Sequence, residues 1–212
     1  MAGTTQRLQE TDSMTTTTTN PAGYTYGQGV VAPSPVSLQD LDELKKSILF
    51  TDDDVAALAR AGEILLPQTE AILDVWYGFV GSYPHLIATF AGPDGRPDAQ
   101  YLAAVRRRFG RWIDDLCNRT YNQEWLDYQE EIGLRHHPVG KNRTDGVEST
   151  SAFIPMRHLI AFIVPITLTI REFLADGGKA TSADVDAMYH AWFKAVTLTV
   201  ALWVRPYNPE LW

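Results

Sequence analysis

Hydrophobic side chains recur every three to four positions along most of the chain from Ser37 onward, which is the spacing of an amphipathic α-helix. The clearest case is the segment 99–120, whose apolar residues collect on one face. That face comprises Leu102, Val105, Phe109, Trp112, Ile113 and Leu116. No segment shows the strict alternation of a half-buried strand. The pattern therefore predicts an all-α domain of about eight helices.

Start signals divide this pattern into separate helices. Ser37 is positioned to cap a helix over 38–50, and Thr51 with Asp54 forms a second start signal. Pro67 stands at a first-turn position of a third helix, which is predicted to run to residue 82. The inward stripes of the first and third helices are expected to comprise Leu38, Leu41, Leu44, Ile48 and Leu49, and Ile72, Val75, Trp76 and Phe79.

Two long helices are predicted near the end of the sequence, over about 152–176 and 182–205. Thr181 or Ser182 starts the second helix, and a double glycine ends the first. Pro165 lies inside the first helix and predicts a local kink there.

The N-terminal region differs in composition from the helical part. Residues 1–22 are polar and include a run of threonines at 15–19, which is typical of a disordered tail. The next segment, 23–29, reads "GYTYGQG" and is aromatic enough to be expected to pack on the domain. Because 212 residues fit one large domain better than two small ones, a single domain over 23–212 is predicted.

Composition argues against several classes of function. A net charge of −8 disfavours a nucleic-acid partner. The single cysteine, Cys117, excludes an intramolecular disulfide and suits a reducing, cytoplasmic compartment. The N-terminus lacks the apolar core of a secretory signal. The longest apolar runs, 159–170 and 195–204, are shorter than the ~18–20 residues that span a bilayer, so no membrane partner is expected.

The most specific chemical pattern lies within residues 125–137. Tyr128, Ile132 and His136 are four apart and share one helical face, whereas His137 is rotated away and precedes a proline. A histidine in the last helical turn can donate one ring N–H to a carbonyl about one turn earlier, near Ile132, which leaves the other nitrogen free for a metal. The same bond suits a purely structural histidine, so both interpretations remain open.

A bare zinc or iron site needs more ligands than this segment offers, since no H-E-x-x-H, cysteine pair or Glu-x-x-His accompanies His136. One axial histidine among many aromatic residues suits haem, which supplies four nitrogens of its own. The far wall of a haem slot is available from Trp76, Tyr77, Val105 and Phe109, and positive charge for the propionates from Arg106, Arg107, Arg108 and Arg111. Taken singly, such aromatics are also ordinary core and such arginines ordinary surface.

A set of longer segments makes the pattern more specific. The segments are "GYTYG", "WYGFVGS", "YLAAVRRRF", "NRTYNQEWLDYQEEIGLRHH", "HLIAFIVPIT" and "MYHAWFKAVTLTVALW". Together they closely resemble the protoglobins, which are single-domain relatives of the globin-coupled sensors, over residues 23 to about 207. The resemblance implies a globin fold with an additional N-terminal helix and an extended N-terminal segment, here about 23–49. It also implies one haem b, apolar tunnels for gas, and a homodimer through the last two long helices.

The resemblance also implies roles for individual residues. It assigns the iron ligand to the first histidine of the pair, His136, in agreement with the helical argument. It places Trp76, Tyr77 and Phe109 on the distal side, with Phe162 nearby. Arg108 matches a propionate-contacting arginine, and Val105 stands where many globins carry a distal histidine, so Tyr77 is the nearest hydrogen-bond donor. The expected cofactor-binding residues are Trp76, Tyr77, Val105, Arg108, Phe109, Tyr128, Leu159 and Phe162.

The expected function is reversible binding of the diatomic gases O₂, CO and NO at a histidine-ligated iron, for sensing, transport or scavenging. The alternative is a haem enzyme that acts on peroxide, nitrite or nitric oxide. The lack of an obvious distal acid–base pair beside "WYGF" favours binding over peroxide cleavage. A haem-free helical partner protein with structural histidines is the third interpretation.

Overall fold

Eight α-helices run through residues 20–212, the part of the chain that this computed structural model describes. In chain order they are α1 (Leu38–Ser47), α2 (Asp52–Leu65), α3 (Thr69–Gly81), α4 (Pro84–Ile87), α5 (Ala99–Asn118), α6 (Gln123–His136), α7 (Met156–Leu174) and α8 (Ser182–Val204). Short 3₁₀ turns and loops connect them, and no strand occurs in the described part. The all-α prediction is therefore confirmed, while the predicted tail over 1–22 falls largely outside the described residues.

The caps of α1 and α2 confirm both predicted starts. The Ser37 hydroxyl accepts a hydrogen bond from the Asp40 N–H, and the Asp40 carboxylate accepts one from the Ser37 N–H. Thr51 and Asp54 form the same reciprocal pair at the start of α2. These capping boxes satisfy backbone donors that have no partner within the helix, so they fix where each helix begins.

The predicted inward stripe of α1 is wrong at both of its ends. Leu38 is 50% exposed and Leu49 is 74% exposed, whereas Leu41 is buried. Leu38 is the first residue of the helix, and the helix ends at Ser47. Leu49 lies in the following turn with a φ of 57°, so it no longer follows the helical spacing.

The hydrophobic core lies where α8 packs against α2, α6 and α7. α8 buries side chains around most of its circumference, which explains why its sequence is apolar on more than one face. Trp192 is fully buried at its centre and packs beside Trp112 of α5 and Trp76 of α3. The core therefore reaches the elements that carry most of the predicted site.

A close approach of α6 and α8 sets the position of the end of α6. A Cβ added at Gly133 would lie 3.0 Å from the backbone oxygen of Trp203, so a larger residue would push the two helices apart. Arg205 and Glu130 form a mostly buried ion pair beside this contact. The last turn of α6 is thus held against the end of α8.

The segment 23–29 packs on the domain, as predicted. Tyr24 is buried, and its hydroxyl lies 2.8 Å from both carboxylate oxygens of Asp115 in α5. Arg119 donates to the same hydroxyl and to Asp115. The Tyr24 ring also meets Tyr128 of α6 edge-on at 5.3 Å. This N-terminal segment, residues 20–29, is therefore anchored to two helices.

One face of α7 is apolar and open to solvent. Ile160, Val164 and Leu168 are 49%, 57% and 63% exposed and lie four residues apart. α7 begins at Met156, four residues later than predicted, because Pro155 is its N-cap, and it continues through Pro165. Among the described residues, the helical stretch 156–178 alone meets the length and composition expected of a membrane span, a test that core helices of soluble proteins also pass.

Candidate functional site

A cavity of about 270 Å³ lies among α3, α5, α6 and α7. All the cofactor-binding residues expected from the sequence line it, namely Trp76, Tyr77, Val105, Arg108, Phe109, Tyr128, Leu159, Phe162 and the expected metal ligand His136. The four helices bring these residues together from separate parts of the chain. Their roles toward a cofactor stay predictions, whereas their common location is a property of the fold.

His136 is the last residue of α6 and borders the cavity. Its Nδ1 lies 2.8 Å from the backbone oxygen of Ile132, the bond predicted from helix geometry. Since a carbonyl only accepts, Nδ1 carries the proton and Nε2 keeps its lone pair. Burial lowers the pKa of His136 to about 4, so the ring is neutral. The imidazole is partly buried by protein, and the part of the ring that borders the cavity is accessible to a ligand. A metal-binding histidine requires such access.

His137 has left the helix, as predicted. It is the C-cap of α6, with extended φ and ψ of −86° and 156°, and its ring meets Tyr207 edge-on. The two adjacent histidines therefore face different surroundings, and the first of them borders the cavity.

The sequence did not predict which residue packs against the His136 ring. The indole of Trp203 stacks on that imidazole, with ring centroids 5.3 Å apart and planes inclined by 24°. Trp203 is itself held by a hydrogen bond from its Nε1 to the Gln129 side chain. The Tyr207 hydroxyl lies 2.8 Å from the His136 carbonyl oxygen. These contacts join the end of α8 to the end of α6, so helical spacing alone contains no signal for them.

The opposite wall of the cavity is aromatic. Trp76 packs against Phe109 at 4.8 Å and donates from Nε1 to the Thr169 hydroxyl in α7. The Tyr77 ring meets Phe109 edge-on, and the Arg106 guanidinium lies 5.6 Å from the centre of the Tyr77 ring. Burial raises the pKa of the Tyr77 hydroxyl well above its usual value. Tyr77 therefore stays protonated near neutral pH and is a hydrogen-bond donor in an otherwise apolar wall.

The cavity has an apolar outer end between α3 and α7. Val75 and Phe79, which the sequence predicted to face inward, line the cavity but remain partly exposed there. The Phe79 ring meets Phe162 of α7 edge-on at 6.0 Å and also packs against Tyr83. Part of the predicted stripe of α3 therefore borders a space that is open to solvent rather than a neighbouring helix.

A second end of the cavity is polar. Arg108 binds Asp145 through two hydrogen bonds of 2.9 and 2.6 Å and also donates to the Ala22 carbonyl. Arg135, which the sequence analysis did not single out, lines the same cavity and donates to the Gly23 carbonyl. A side chain at Gly23 would clash with Thr144 and Arg108, and its φ of +78° also favours glycine. The N-terminal segment therefore closes this end.

The remaining arginines of the predicted cluster point elsewhere. Arg106 pairs with Glu70 and Asp74 on the surface, and Arg111 pairs with Asp114. Arg107 is exposed. Of the run in α5, Arg108 is thus the one that lines the cavity.

The arrangement fits a haem. One wall offers a neutral imidazole nitrogen, and the other wall is aromatic. One end carries the guanidinium groups of Arg108, which is paired with Asp145, and Arg135, and such groups can bind carboxylates. Within residues 20–212, no cluster of three or more His, Cys, Asp or Glu side chains is placed to hold a bare metal ion. A metal bound at His136 must therefore bring most of its ligands with it, as a porphyrin does.

Comparisons with known proteins agree with this description. The family profile described as Protoglobin matches residues 37–212. Among solved structures, the chain is similar to the globin domain of the Geobacter sulfurreducens globin-coupled sensor, with a TM-score of 0.56 and 15% sequence identity. That match covers 82% of this chain and 99% of the other, and it shows a shared fold. Among curated proteins, none matches the sequence.

Proposed function

Because the chain belongs to the protoglobin family, we propose that it holds one haem b in the cavity through His136 and reversibly binds O₂, CO or NO opposite that residue. Members of this family are globin-type haem proteins that bind gas. The observation that carries the proposal is the partly buried, neutral His136, whose Nδ1 is fixed by the Ile132 carbonyl and whose ring borders the cavity. Haem would supply an iron with one coordination position for this imidazole and one for gas.

The side chains around the cavity divide the remaining tasks. Arg108 and Arg135 would hold the propionates at the polar end. Tyr77 would donate a hydrogen bond to O₂, which becomes partly negative on binding, and would matter less for CO. The lone cysteine, Cys117, is buried and far in sequence from His136, so the C-x-x-C-H motif of covalently attached haem is absent. This supports a non-covalent haem b.

The choice of ligand can be tested with adjacent variants. His136→Ala should remove the axial bond and shift or abolish the haem spectrum, whereas His137→Ala, the matched control, should leave a five-coordinate ferrous haem. Ultraviolet–visible spectra of ferric, ferrous and CO-bound protein read out both. A haem-supplied preparation without a Soret band, or a reversed result for the two variants, contradicts the proposal.

The role of Tyr77 can be tested by Tyr77→Phe. Loss of one hydrogen bond of about 0.5–1.5 kcal/mol should raise the O₂ off-rate by roughly two- to tenfold. The CO off-rate should change much less, because bound CO carries little charge. Stopped-flow measurements with both gases provide the comparison, and equal effects on O₂ and CO would remove Tyr77 from this role.

We also propose a cytoplasmic homodimer formed through α7 and α8. Support comes from the exposed row of Ile160, Val164 and Leu168 on α7 and from the half-exposed Phe193 on α8. A row of exposed large apolar side chains on a long helix is typical of an interaction surface. The buried free thiol of Cys117 suits a reducing compartment. Sensing, transport or scavenging of gas are all compatible with such a dimer.

A further inference from the structure

A second pocket, of about 560 Å³, opens on the surface beside the main cavity. It lies where α4 and the turn after it meet residues 150–151 and the start of α7. We call it the outer pocket. Polar groups form part of its lining, because His85, Arg157 and His158 contribute to it together with hydroxyl side chains. It therefore differs from the apolar opening at Val75 and Phe79.

The outer pocket and the main cavity share a wall. Thr89 and His158 line both spaces. Thr89 is buried and its hydroxyl donates to the Leu86 carbonyl at 2.7 Å, so it is fixed in place. His158 is only partly buried, which leaves its ring the more movable part of the wall.

His158 carries an unsatisfied polar atom. Its Nδ1 is buried and finds no hydrogen-bond partner among the described residues. Leaving such an atom unpaired is costly, and a bound water, ion or ligand is one way to satisfy it. The ring of His85 faces His158 at 5.6 Å between centroids, so two imidazoles flank the opening.

The charge around the outer pocket favours anions. Arg157 is exposed at its rim, and none of the side chains that line it is a carboxylate. α7 also points its positive end here, and its N-cap, Pro155, offers no capping side chain. A small anion in this pocket would meet the Arg157 guanidinium and the positive end of α7, both of which disfavour a cation. A neutral imidazole can add a hydrogen bond from its ring N–H.

We infer that the outer pocket binds small inorganic anions, such as nitrite and azide, and admits them to the main cavity past His158. This role rests on the proposed haem site for its outcome, since the anion would end its path there. Uncharged gases would instead enter the main cavity through the apolar opening between α3 and α7. The fold would thus provide separate routes for neutral and for charged small molecules.

The first test compares ligand binding rates in the haem-loaded protein. His158→Leu should slow azide and nitrite binding to ferric protein at least fivefold, while CO binding to ferrous protein stays within twofold of the original rate. His158→Gln, which keeps a polar side chain, should recover most of the anion rate. Unchanged anion rates, or equal slowing of anions and CO, would overturn the inference.

A second pair of variants tests the charge. Arg157→Gln should lower the azide on-rate by about two- to threefold at low salt, the effect of one unit charge several ångströms away in water. That difference should vanish at high salt. Arg143→Gln removes an exposed charge from a residue that does not line the outer pocket and serves as the matched control. An equal effect of both variants would exclude a local role for Arg157.

A haem-free measurement separates this inference from the proposed function. In the unloaded chain, the imidazole ¹⁵N resonances of His85 and His158 should shift as sodium azide is added, and those of His190 on α8 should not. Absence of that response would overturn the outer pocket as an anion site even where haem binds normally. A response in a chain that acquires no Soret band would overturn the haem proposal alone.

Discussion

Substitution of Tyr24 by Phe tests how the N-terminal segment is held over the cavity. The Tyr24 hydroxyl is buried and lies 2.8 Å from both oxygens of Asp115. Removing it does not strand the carboxylate, because the Arg119 Nε still donates to Asp115 at 2.9 Å. The ring contact with Tyr128 is also retained in Phe. The substitution therefore removes the charge-assisted hydrogen bond from the hydroxyl to Asp115 together with the one that the hydroxyl accepts from Arg119. The smallest expected effect is that of losing the bond to Asp115.

The expected size of the effect follows from that bond. A hydrogen bond to a charged group contributes about 1.5–3 kcal/mol. Since each 1.4 kcal/mol corresponds to about tenfold in an equilibrium constant, local opening of the N-terminal segment should increase roughly 10- to 150-fold. The rest of the domain should keep its stability, because the packing of α5 against its neighbours is unchanged. The effect is thus expected to be local rather than global.

Native-state hydrogen exchange measures this opening. The amide of residue 24 donates to the Pro21 carbonyl at 3.0 Å, and the amide of Gln28 donates to the Thr25 carbonyl at 3.2 Å. Both should lose protection in Tyr24→Phe. Tyr26→Phe is the matched control, because Tyr26 lies in the same segment but is only half-buried, and it should lose much less. Protection that changes less than twofold in Tyr24→Phe would refute the argument.

Three further predictions follow from other parts of the fold. Burial lowers the pKa of Lys141 to about 8 from its ordinary 10.5, so the unfolded chain binds more protons than the folded chain between these values. The free energy of unfolding of the original protein, relative to that of Lys141→Met, should therefore rise from pH 8 to 10.5 in urea titrations. A flat or falling difference would contradict this prediction. A Cβ at Gly140 would lie 2.4 Å from the Leu134 carbonyl oxygen, so Gly140→Ala should cost about 1–3 kcal/mol in chemical denaturation, whereas Gly81→Ala, where the space is open, should cost almost nothing. Leu168→Glu should halve the particle mass in analytical ultracentrifugation, and an unchanged mass would exclude α7 from the proposed interface.

Local patterns were the part of the structure that the sequence predicted best. The bond from His136 to Ile132 spans one helical turn, so spacing and helix geometry were sufficient to predict it. The capping boxes of α1 and α2 are equally local. Leu38 and Leu49 were misassigned because a periodic pattern does not show where a helix ends and the chain turns.

Contacts between distant segments were outside the reach of such patterns. The stacking of Trp203 on His136 depends on how closely α8 approaches α6, which no local spacing encodes. The Asp145 carboxylate reaches Arg108 from a loop whose path is set by tertiary packing. The outer pocket around His158 likewise arises where three separate segments meet. The family resemblance predicted which residues line the main cavity. The contacts that hold those residues in place could be seen only in the folded structure.

The length and position of α8 have a mechanical consequence. This single helix of 23 residues carries Phe193 at the solvent-facing side and Trp203 against the His136 ring. In the proposed dimer, a displacement of α8 at Phe193 would also move Trp203, whose indole stacks on the His136 imidazole. If gas binds as proposed, a movement of His136 would act on Trp203 and hence on the exposed Phe193 of the same helix.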